Sequence, residues 1–300
     1  MRKFTILTSM VGCALLFIQF KTDKAPLKIF PKNLRENFAW VPGGIAVIGK
    51  DTSKIVAFYI AKTEVSQAEY DKFLSALRTE GDNTKIQIAV PDSLAWNSIG
   101  NNMSPYTTYY HSHPAYKNYP VVNVRYEAAL MYCEWFAKEL ENQMGGQFEV
   151  TASLPDRMEW IRAARGDKHA YKYTWGGPSL RNAKGTVLCN YSSLGDEAIR
   201  RNPVTNEFEI MRGEGGSMLG VAGYLSDNAD ILAPVNTYSP NDFGLYNVNG
   251  NAREMISEKG QSVGGSWRDP GYDVRNESIS MFEGPSPDLG FRPIFRVVKK

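Results

Sequence analysis

Short apolar segments separated by Gly, Pro and Asn run through most of the chain. Residues 38–41 and 45–49 are apolar and flank Pro42-Gly43-Gly44, a pattern typical of a β-hairpin. Residues 58–61 and 121–124 predict two more short strands. The strands are too short for a large regular sheet, so the pattern favours small sheets.

Three segments have helical periodicity. Ser66 and Glu69 form a capping-box pair before the first predicted helix. Its apolar face consists of Tyr70, Phe73, Leu74 and Leu77. The second helix follows the strand at 121–124 and ends at Gly145-Gly146, and the third begins with Pro155 in its first turn.

Regular patterns fade after residue 166, where Gly, Asn, Ser and Pro interrupt short apolar pieces. Residues 79–119 form a long polar and aromatic loop in this interpretation, and residues 196–232 are charged and then Gly-rich. Both stretches are interpreted as insertions. Loops on a rigid scaffold often carry function, so a partner surface is expected there.

The N-terminus has the pattern of an export signal. Met1-Arg2-Lys3 is positive, and the apolar run at 4–20 is at the short limit for a membrane-spanning helix. Cys13 ends a Met-Val-Gly-Cys sequence that resembles a lipoprotein lipobox, although the residues after it stay apolar. A lipoprotein, an uncleaved anchor and a soluble secreted protein remain alternatives. Residues 1–20 are thus a signal or anchor and 21–37 a tether, and the chain is expected in the bacterial periplasm or at the outer membrane.

Composition is that of an ordinary globular protein of 300 residues, with 43% hydrophobic residues. The length allows two domains or one large irregular domain. A formal net charge of +2 does not indicate the strongly basic surface that is typical of nucleic-acid-binding proteins. With three cysteines, the mature chain has at most one disulfide, and Cys133 and Cys189 either pair or remain thiols.

The stretch 244–254 predicts a compact turn rich in Gly and Asn. Asn247 and Glu254 offer oxygen ligands seven residues apart, and turn carbonyls can lie between them. Calcium prefers such hard oxygen ligands. The alternative is a turn whose Asn side chains only cap its own backbone.

Other candidate chemistry is weak. His111 and His113 have no neighbouring Cys or acid cluster to complete a zinc site, so a surface or packing role is favoured. Ser266 follows Gly264-Gly265, but no local pattern assigns it a base.

The order of these pieces resembles the formylglycine-generating-enzyme/sulfatase-modifying-factor (FGE-sulfatase) domain, over residues 38–300. The matching segments are Trp40-Val41-Pro42-Gly43-Gly44, Thr63-Glu64-Val65-Ser66, Pro120-Val121-Val122-Asn123-Val124, Leu154-Pro155, Glu159-Trp160, Ala163-Ala164-Arg165-Gly166, Tyr173-Thr174-Trp175-Gly176, Ala233-Pro234-Val235, Gly244-Leu245-Tyr246-Asn247, Gly250-Asn251-Ala252, Glu254, Gly264-Gly265-Ser266-Trp267 and Gly290-Phe291-Arg292. The resemblance implies a single irregular α+β domain of C-type-lectin-like topology. Two helices would flank small antiparallel sheets.

The resemblance also implies two structural calcium sites. The first would use Asn247, Gly250, Ala252 and Glu254, all of which match the family pattern. The second would use Asn190, Tyr191, Asp227 and Ala229, and the intervening insertion makes this match weaker.

Two departures from the family concern catalysis. The family's oxidases bind copper through two cysteines, and the corresponding positions here are Asp269 and Val274. Copper(I) selects soft thiolate ligands, so no copper is expected. In addition, Arg253 stands where a Trp usually precedes the calcium Glu.

Three functions follow from this resemblance. The favoured one is a non-catalytic envelope module similar to the gliding-motility and type IX secretion lipoproteins of the GldK and GldJ kind. Its partners would be envelope or secretion-system proteins, an oligomeric assembly is one option, and the membrane would be reached through a lipid or N-terminal anchor. The alternatives are an enzyme of altered formylglycine-generating or maturation-factor type, acting on an exported substrate, and a lectin-like ligand-binding module.

Overall fold

The structure is a computed structural model that describes residues 30–100, 103–192, 199–201, 205, 208–210, 229 and 231–300. Cys13, the apolar run at 4–20, Asp227 and most of the insertion at 196–232 lie outside the described residues. Within the described part of the chain, no helix has both the length and the apolar character needed to cross a membrane.

Six α-helices are described, together with short 3₁₀ helices at Ser93–Ser98 and Pro114–Tyr116. The α-helices are α1 (Lys32–Asn37), α2 (Gln67–Glu80), α3 (Asn83–Ala89), α4 (Ser104–Tyr109), α5 (Tyr126–Gln143) and α6 (Arg157–Arg165). The strands are β1 (Phe38–Val41), β2 (Gly44–Ile48), β3 (Asp51–Ile55), β4 (Phe58–Ala61), β5 (Phe148–Ser153), β6 (Ile199–Arg201), β7 (Phe208–Ile210), β8 (Arg253–Met255), β9 (Gln261–Val263), β10 (Ile279–Met281), β11 (Leu289–Phe291) and β12 (Ile294–Lys299).

Two four-stranded sheets organise the fold. The first has the order β1-β4-β12-β5, with antiparallel pairs, and the second has the order β10-β9-β8-β11. In the second sheet β11 runs parallel to β8, with Gly290 opposite Glu254. Helices α2 and α5 pack in one aromatic core with residues of the first sheet. The predicted α+β class with small sheets and flanking helices is confirmed.

The predicted pairing of the first two apolar segments is wrong. Strand β1 pairs with β4, whereas β2 forms a separate hairpin with β3. The side chain of Arg162 explains the break: its Nε donates to the Pro42 carbonyl at 3.2 Å. A Cβ at Gly44 would lie 2.6 Å from Nη2 of Arg162, so this guanidinium occupies the space beside the turn.

The capping box predicted for α2 is present. The Ser66 side chain accepts from the Glu69 N–H, and the Glu69 carboxylate accepts from the Ser66 N–H. The apolar face predicted for this helix is buried.

Residues 79–119 are more ordered than the predicted loop. They contain α3, α4 and both 3₁₀ helices, and Asp82 and Asp92 cap two of these elements. Trp96 and Tyr110 are fully buried in a separate core cluster. Burial of these apolar side chains stabilises the folded insertion.

Residues 30–37, at the end of the segment predicted as a tether, pack into the domain. Phe30 and Leu34 are buried in the aromatic core, and the Phe30 ring lies 4.9 Å from that of Tyr59. The folded part of the chain therefore begins before residue 38.

Cys133 and Cys189 are not joined in a disulfide. Cys133 lies on α5 in the aromatic core, and Cys189 lies in a different cluster with Tyr173 and Val274. Burial raises the pKa of the Cys133 thiol to about 12, which is typical of an inert packing residue.

Candidate functional site

Three residues with positive φ lie in the part of the turn at 247–251. Asn247, Gly250 and Asn251 have φ values of 50°, 79° and 62°. Asn and Gly tolerate this left-handed conformation better than other residues. A Cβ at Gly250 would lie 2.2 Å from the Asn190 carbonyl oxygen, so glycine is required there. The Asn251 N–H donates to the same oxygen at 2.8 Å, which joins the turn to the Asn190 segment.

Beneath this turn, a buried carboxylate is held by a buried guanidinium. Glu254 is the central residue of β8, and Arg292 lies in the link between β11 and β12. Arg292 donates to Glu254 Oε1 from Nε at 3.0 Å and from Nη2 at 2.7 Å. Trp160 Nε1 donates to Glu254 Oε2 at 2.7 Å. Arg292 also donates to two backbone carbonyls, so it ties β8 to the neighbouring segments.

A second buried carboxylate, Glu64, completes the group. Burial raises its pKa to about 8, and the Glu254 charge adds to the rise while Arg292 opposes it. Two ionised carboxylates would share one guanidinium, so the cluster has an excess of negative charge that a proton or a cation must balance.

Asn side chains connect Glu64 to the turn. Asn251 Nδ2 donates to Glu64 Oε1 at 2.9 Å, and Asn247 Nδ2 donates to Glu64 Oε2 at 3.3 Å. Asn251 Oδ1 accepts the Ala233 N–H at 2.7 Å. Asn251 therefore caps a backbone N–H group, and both Asn247 and Asn251 also donate to the buried Glu64 carboxylate.

The residues expected for the first calcium site lie together on this turn and at its end. Glu254 Oε2 accepts one N–H and keeps a lone pair, and the negative charge that is present when Glu64 is ionised would favour a cation. No group of three or more His, Cys, Asp or Glu side chains suited to a metal occurs in the described ranges, so carbonyl oxygens would have to supply most ligands. The structure brings Asn247, Gly250, Ala252 and Glu254 onto one turn, and their role as calcium ligands stays a prediction.

The second predicted set is described only in part. Asn190 Nδ2 donates to the Ile231 carbonyl at 2.7 Å and to Asn251 Oδ1 at 3.2 Å. Tyr191 is partly buried beside it, and Ala229 is among the described residues, whereas Asp227 is not. Asn190 thus belongs to the same polar network as the first turn.

A hydroxyl–carboxylate pair lies at the first position where the resemblance implies a copper cysteine in the oxidases. Asp269 Oδ2 accepts from the Ser266 N–H at 2.9 Å and from Ser266 Oγ at 2.7 Å. Burial raises the pKa of the Asp269 carboxyl, and the Ser266 hydrogen bond opposes that rise. Val274, at the second cysteine position, is fully buried and has no ligand atom. These two residues do not fit copper.

Arginines surround a third carboxylate next to this pair. Asp288 lies 3.3 Å from Arg253 Nη2, 3.7 Å from Arg268 Nη1 and 3.4 Å from Ser266 Oγ. Arg253 also lines an open depression of about 420 Å³, whose other lining residues are 281–286. Arg253 thus lies between the Ser266–Asp288 contact and the surface depression.

The insertions meet at Trp267. This side chain packs against a buried cluster that includes Trp96 and Tyr110 of the insertion at 79–119. Ile231 and Leu232, at the end of the insertion at 196–232, belong to the same cluster. Both insertions therefore contact the segment that follows Ser266.

His111 belongs to a partly buried hydrogen-bond network, and the described residues place no metal-binding group of His, Cys, Asp or Glu around it. Gln67 Nε2 lies 3.1 Å from its Nδ1. With the Asn123 amide oriented to accept, its oxygen lies 3.3 Å from His111 Nε2 and 3.0 Å from Trp96 Nε1. Burial lowers the pKa of His111 to about 4, and Asp71 opposes this shift. The packing role favoured from sequence agrees with these contacts.

Comparison with known proteins identifies the family. The model of the sulfatase-modifying factor enzyme 1-like domain (FGE-sulfatase) matches residues 25–297. The chain belongs to the FGE-sulfatase family. This match begins ahead of α1, in agreement with the packing of Phe30 and Leu34.

Relatives within the FGE-sulfatase family are distant. The formylglycine-generating enzyme of Bos taurus is 26% identical over 254 residues, which cover 73% of this chain and 56% of that protein. The inactive C-alpha-formylglycine-generating enzyme 2 of Bos taurus is 26% identical over 190 residues, which cover 58% of this chain and 49% of that protein. The chain spans about half the length of these relatives.

A solved structure has the same fold. PvdO from Pseudomonas aeruginosa superposes with a TM-score of 0.53 and 15% sequence identity, covering 86% of this chain and 94% of that one. At this identity the likeness concerns the FGE-sulfatase fold alone.

The sequence patterns assign no role to Glu64 or Arg292, yet both are central to the buried cluster. Each lies beside a buried apolar residue: Val65 follows Glu64, and Phe291 precedes Arg292. A charged residue inside a buried run has to be paired, and that rule would have marked both residues.

We expect Arg292→Met to destabilise the protein by about 3–5 kcal/mol, because it leaves buried carboxylates without their counter-charge. Arg292→Lys should recover only part of this loss, since a lysine cannot reproduce the two guanidinium donors to Glu254 Oε1 together with the donors to two backbone carbonyls. Urea unfolding followed by circular dichroism measures both. As a control, Lys259→Ala removes a pair with Glu127 that is exposed, and its transition should stay near that of the parent. Equal transitions for Arg292→Met and the control would contradict the central role of Arg292.

We also expect His111 to make the fold sensitive to acid. Its folded pKa of about 4 lies below the ordinary 6.5, so the unfolded chain binds a proton that the folded chain does not. The free energy of unfolding should therefore decrease as the pH falls from about 6.5 to 4, by at most about 1.4 kcal/mol per pH unit from this group. His111→Gln should flatten that slope in urea unfolding experiments, whereas substitution of the exposed His113 should not. An unchanged slope in His111→Gln would show that other groups titrate.

Proposed function

We propose that this chain is a binding module of the bacterial cell envelope that has lost the copper-dependent oxidase chemistry of its family. The observation that carries the proposal is the pair Asp269 and Val274 in place of two thiol ligands. Asp269 is bound to Ser266, and Val274 is packed in an apolar cluster, so both positions have structural roles. A relative described as inactive indicates that the domain is retained in other proteins without that activity.

The partner surface in this proposal is the junction of the two insertions. The cluster around Trp96 and Trp267 gives the junction a rigid base next to the Ser266 segment. Exposed apolar side chains, including Leu94 at 68% and Tyr109 at 53%, extend from the same insertion. Apolar residues of this kind mark protein interaction sites when they cluster.

Membrane attachment through Cys13 or an uncleaved anchor would place this surface at the periplasmic side of the envelope. The partners would then be envelope or secretion-system proteins, such as those of a gliding-motility or type IX secretion assembly. An enzyme of altered maturation-factor type is the second candidate, and the Ser266–Asp269–Asp288 group would be its site. A lectin-like ligand-binding module is the third.

Crosslinking in membranes of the native host, followed by affinity purification and mass spectrometry, tests the proposal. We expect a stoichiometric set of envelope proteins, and we expect Leu94→Ser with Tyr109→Ser to lose them. Val298→Ser is the matched control, because Val298 is also 64% exposed but lies on β12. A monomer without partners, or equal recovery from both variants, would contradict the proposed surface.

A structural calcium ion at Asn247, Gly250, Ala252 and Glu254 is part of this proposal. A ligand that binds only the folded state raises its stability, so chelation with EDTA should lower the melting temperature. Added calcium should restore it, and magnesium should not, because magnesium demands a stricter octahedral geometry. A melting curve that is the same in EDTA and in calcium would contradict the site.

A further inference from the structure

One stretch of the first insertion carries no charge. Residues 93–116 contain no Asp, Glu, Lys or Arg, although these residues make up 22% of the chain. Several polar side chains of this stretch are nevertheless exposed, among them Thr108, Ser112 and His113. Protein surfaces usually carry charges of both signs. This part of the surface is therefore suited to a ligand without charge.

Aromatic rings cover the same part of the insertion. They form a tyrosine patch, which consists of Tyr106, Tyr109, His113, Tyr116 and Tyr119. The Tyr116 ring centroid lies 6.3 Å from that of Tyr106, 6.4 Å from that of His113 and 5.3 Å from that of Tyr119. These pairs have interplanar angles of 73°, 68° and 75°. Such edge-to-face packing orders the rings in advance, which lowers the entropy cost of binding a ligand.

Hydroxyl oxygens lie among the rings. The hydroxyl groups of Thr107 and Ser112 donate to the carbonyl oxygens of Ser104 and Thr108, each at 2.7 Å. A hydroxyl group that donates its proton keeps lone pairs that can accept from another donor. A matching ligand therefore has C–H groups for the ring faces and hydroxyl donors for these oxygens.

The same features disfavour other ligand classes. Lys117 is the one charged residue in 104–119, and it is paired with Asp71, so an anion finds no spare cation there. Neighbouring rings are steeply inclined to each other, so they do not form a flat platform for a series of stacked bases. Protein interfaces are enriched in Met and Arg as well as Tyr, and residues 104–119 contain neither Met nor Arg.

We propose that the tyrosine patch binds a neutral linear glycan. A pyranose ring has C–H groups on its faces and hydroxyl groups around its rim, which matches ring faces interspersed with hydroxyl oxygens. The spacing of 5.3–6.4 Å between rings is comparable with the repeat of an extended glycan, so successive sugars contact neighbouring rings. This inference goes beyond the protein partners proposed above and adds a second class of ligand.

Isothermal titration of the full-length protein with oligosaccharides tests the site. The neutral probes are the hexasaccharides of cellulose, chitin and starch, and the controls are glucose and the acidic hexasaccharide of polygalacturonate. We expect at least one neutral hexasaccharide to bind about tenfold or more tightly than glucose and the acidic probe. Its affinity should be the same at roughly 0.05 M and 0.5 M salt, because salt screens only charged contacts.

Four variants locate the binding. Tyr116→Leu removes the central ring, and Tyr116→Phe keeps it. His113→Asn removes an exposed ring but keeps an acceptor for the Ala115 N–H, which His113 Nδ1 accepts at 3.2 Å. Tyr116→Leu and His113→Asn should weaken binding at least about threefold, whereas Tyr116→Phe should not. Tyr272→Leu, at a residue that is 69% exposed elsewhere, should bind like the parent.

Several results would overturn the site: no binding of any neutral hexasaccharide, equal binding of the acidic probe, affinity that falls with salt, or ring-removing variants that bind like the parent. If Tyr116→Leu fails to fold, His113→Asn decides the question. Envelope proteins recovered by crosslinking without glycan binding would remove this site and leave the proposed function intact. Glycan binding without crosslinked proteins would do the reverse.

Discussion

The ion pair between Arg292 and Glu254 is the constraint on which the rest of the structure depends. Both side chains are 99% buried, so each is stable there only because the other is present. The pair joins the middle of β8 to the link between β11 and β12. Glu64 then connects this pair to the segment after β4 and, through Asn247 and Asn251, to the turn before β8. One buried charge group thus connects elements that are far apart in the sequence.

This dependence follows from the shortness of the strands. Strands β8 to β11 have three residues each, so their ladders alone supply few hydrogen bonds. A domain with little regular structure needs side chains to satisfy buried backbone groups, and the Asn residues do this. The same rigid frame holds Ser266, Asp269 and Asp288 in place. The frame does not need thiols at 269 and 274, where Asp269 binds Ser266 and Val274 packs in an apolar cluster.

Much of the fold could be predicted from the sequence, because its signals are local. The capping box at Ser66 and Glu69 and the apolar face of α2 depend only on neighbouring residues. Strand pairing depends on residues that are distant in the sequence. Arg162 lies between β1 and β2 beside Pro42, and no sequence pattern near Pro42 indicates that contact. The turn at 244–254 was predicted as a turn, but the hydrogen bond from Asn247 to Glu64 joins residues 183 positions apart in the sequence. The helices in 79–119 were missed because their stability comes from an aromatic cluster formed in three dimensions.

The central claim is that this protein retains the FGE-sulfatase fold but lacks the copper-dependent oxidase activity. Incubation of the purified protein with copper, oxygen and a Cys-containing sulfatase-motif peptide tests it most directly, with an active formylglycine-generating enzyme as the positive control. Mass spectrometry of the peptide measures the outcome. The account predicts an unchanged peptide, because Asp269 and Val274 cannot replace two thiolates as copper ligands. Conversion of the peptide cysteine to formylglycine would contradict it.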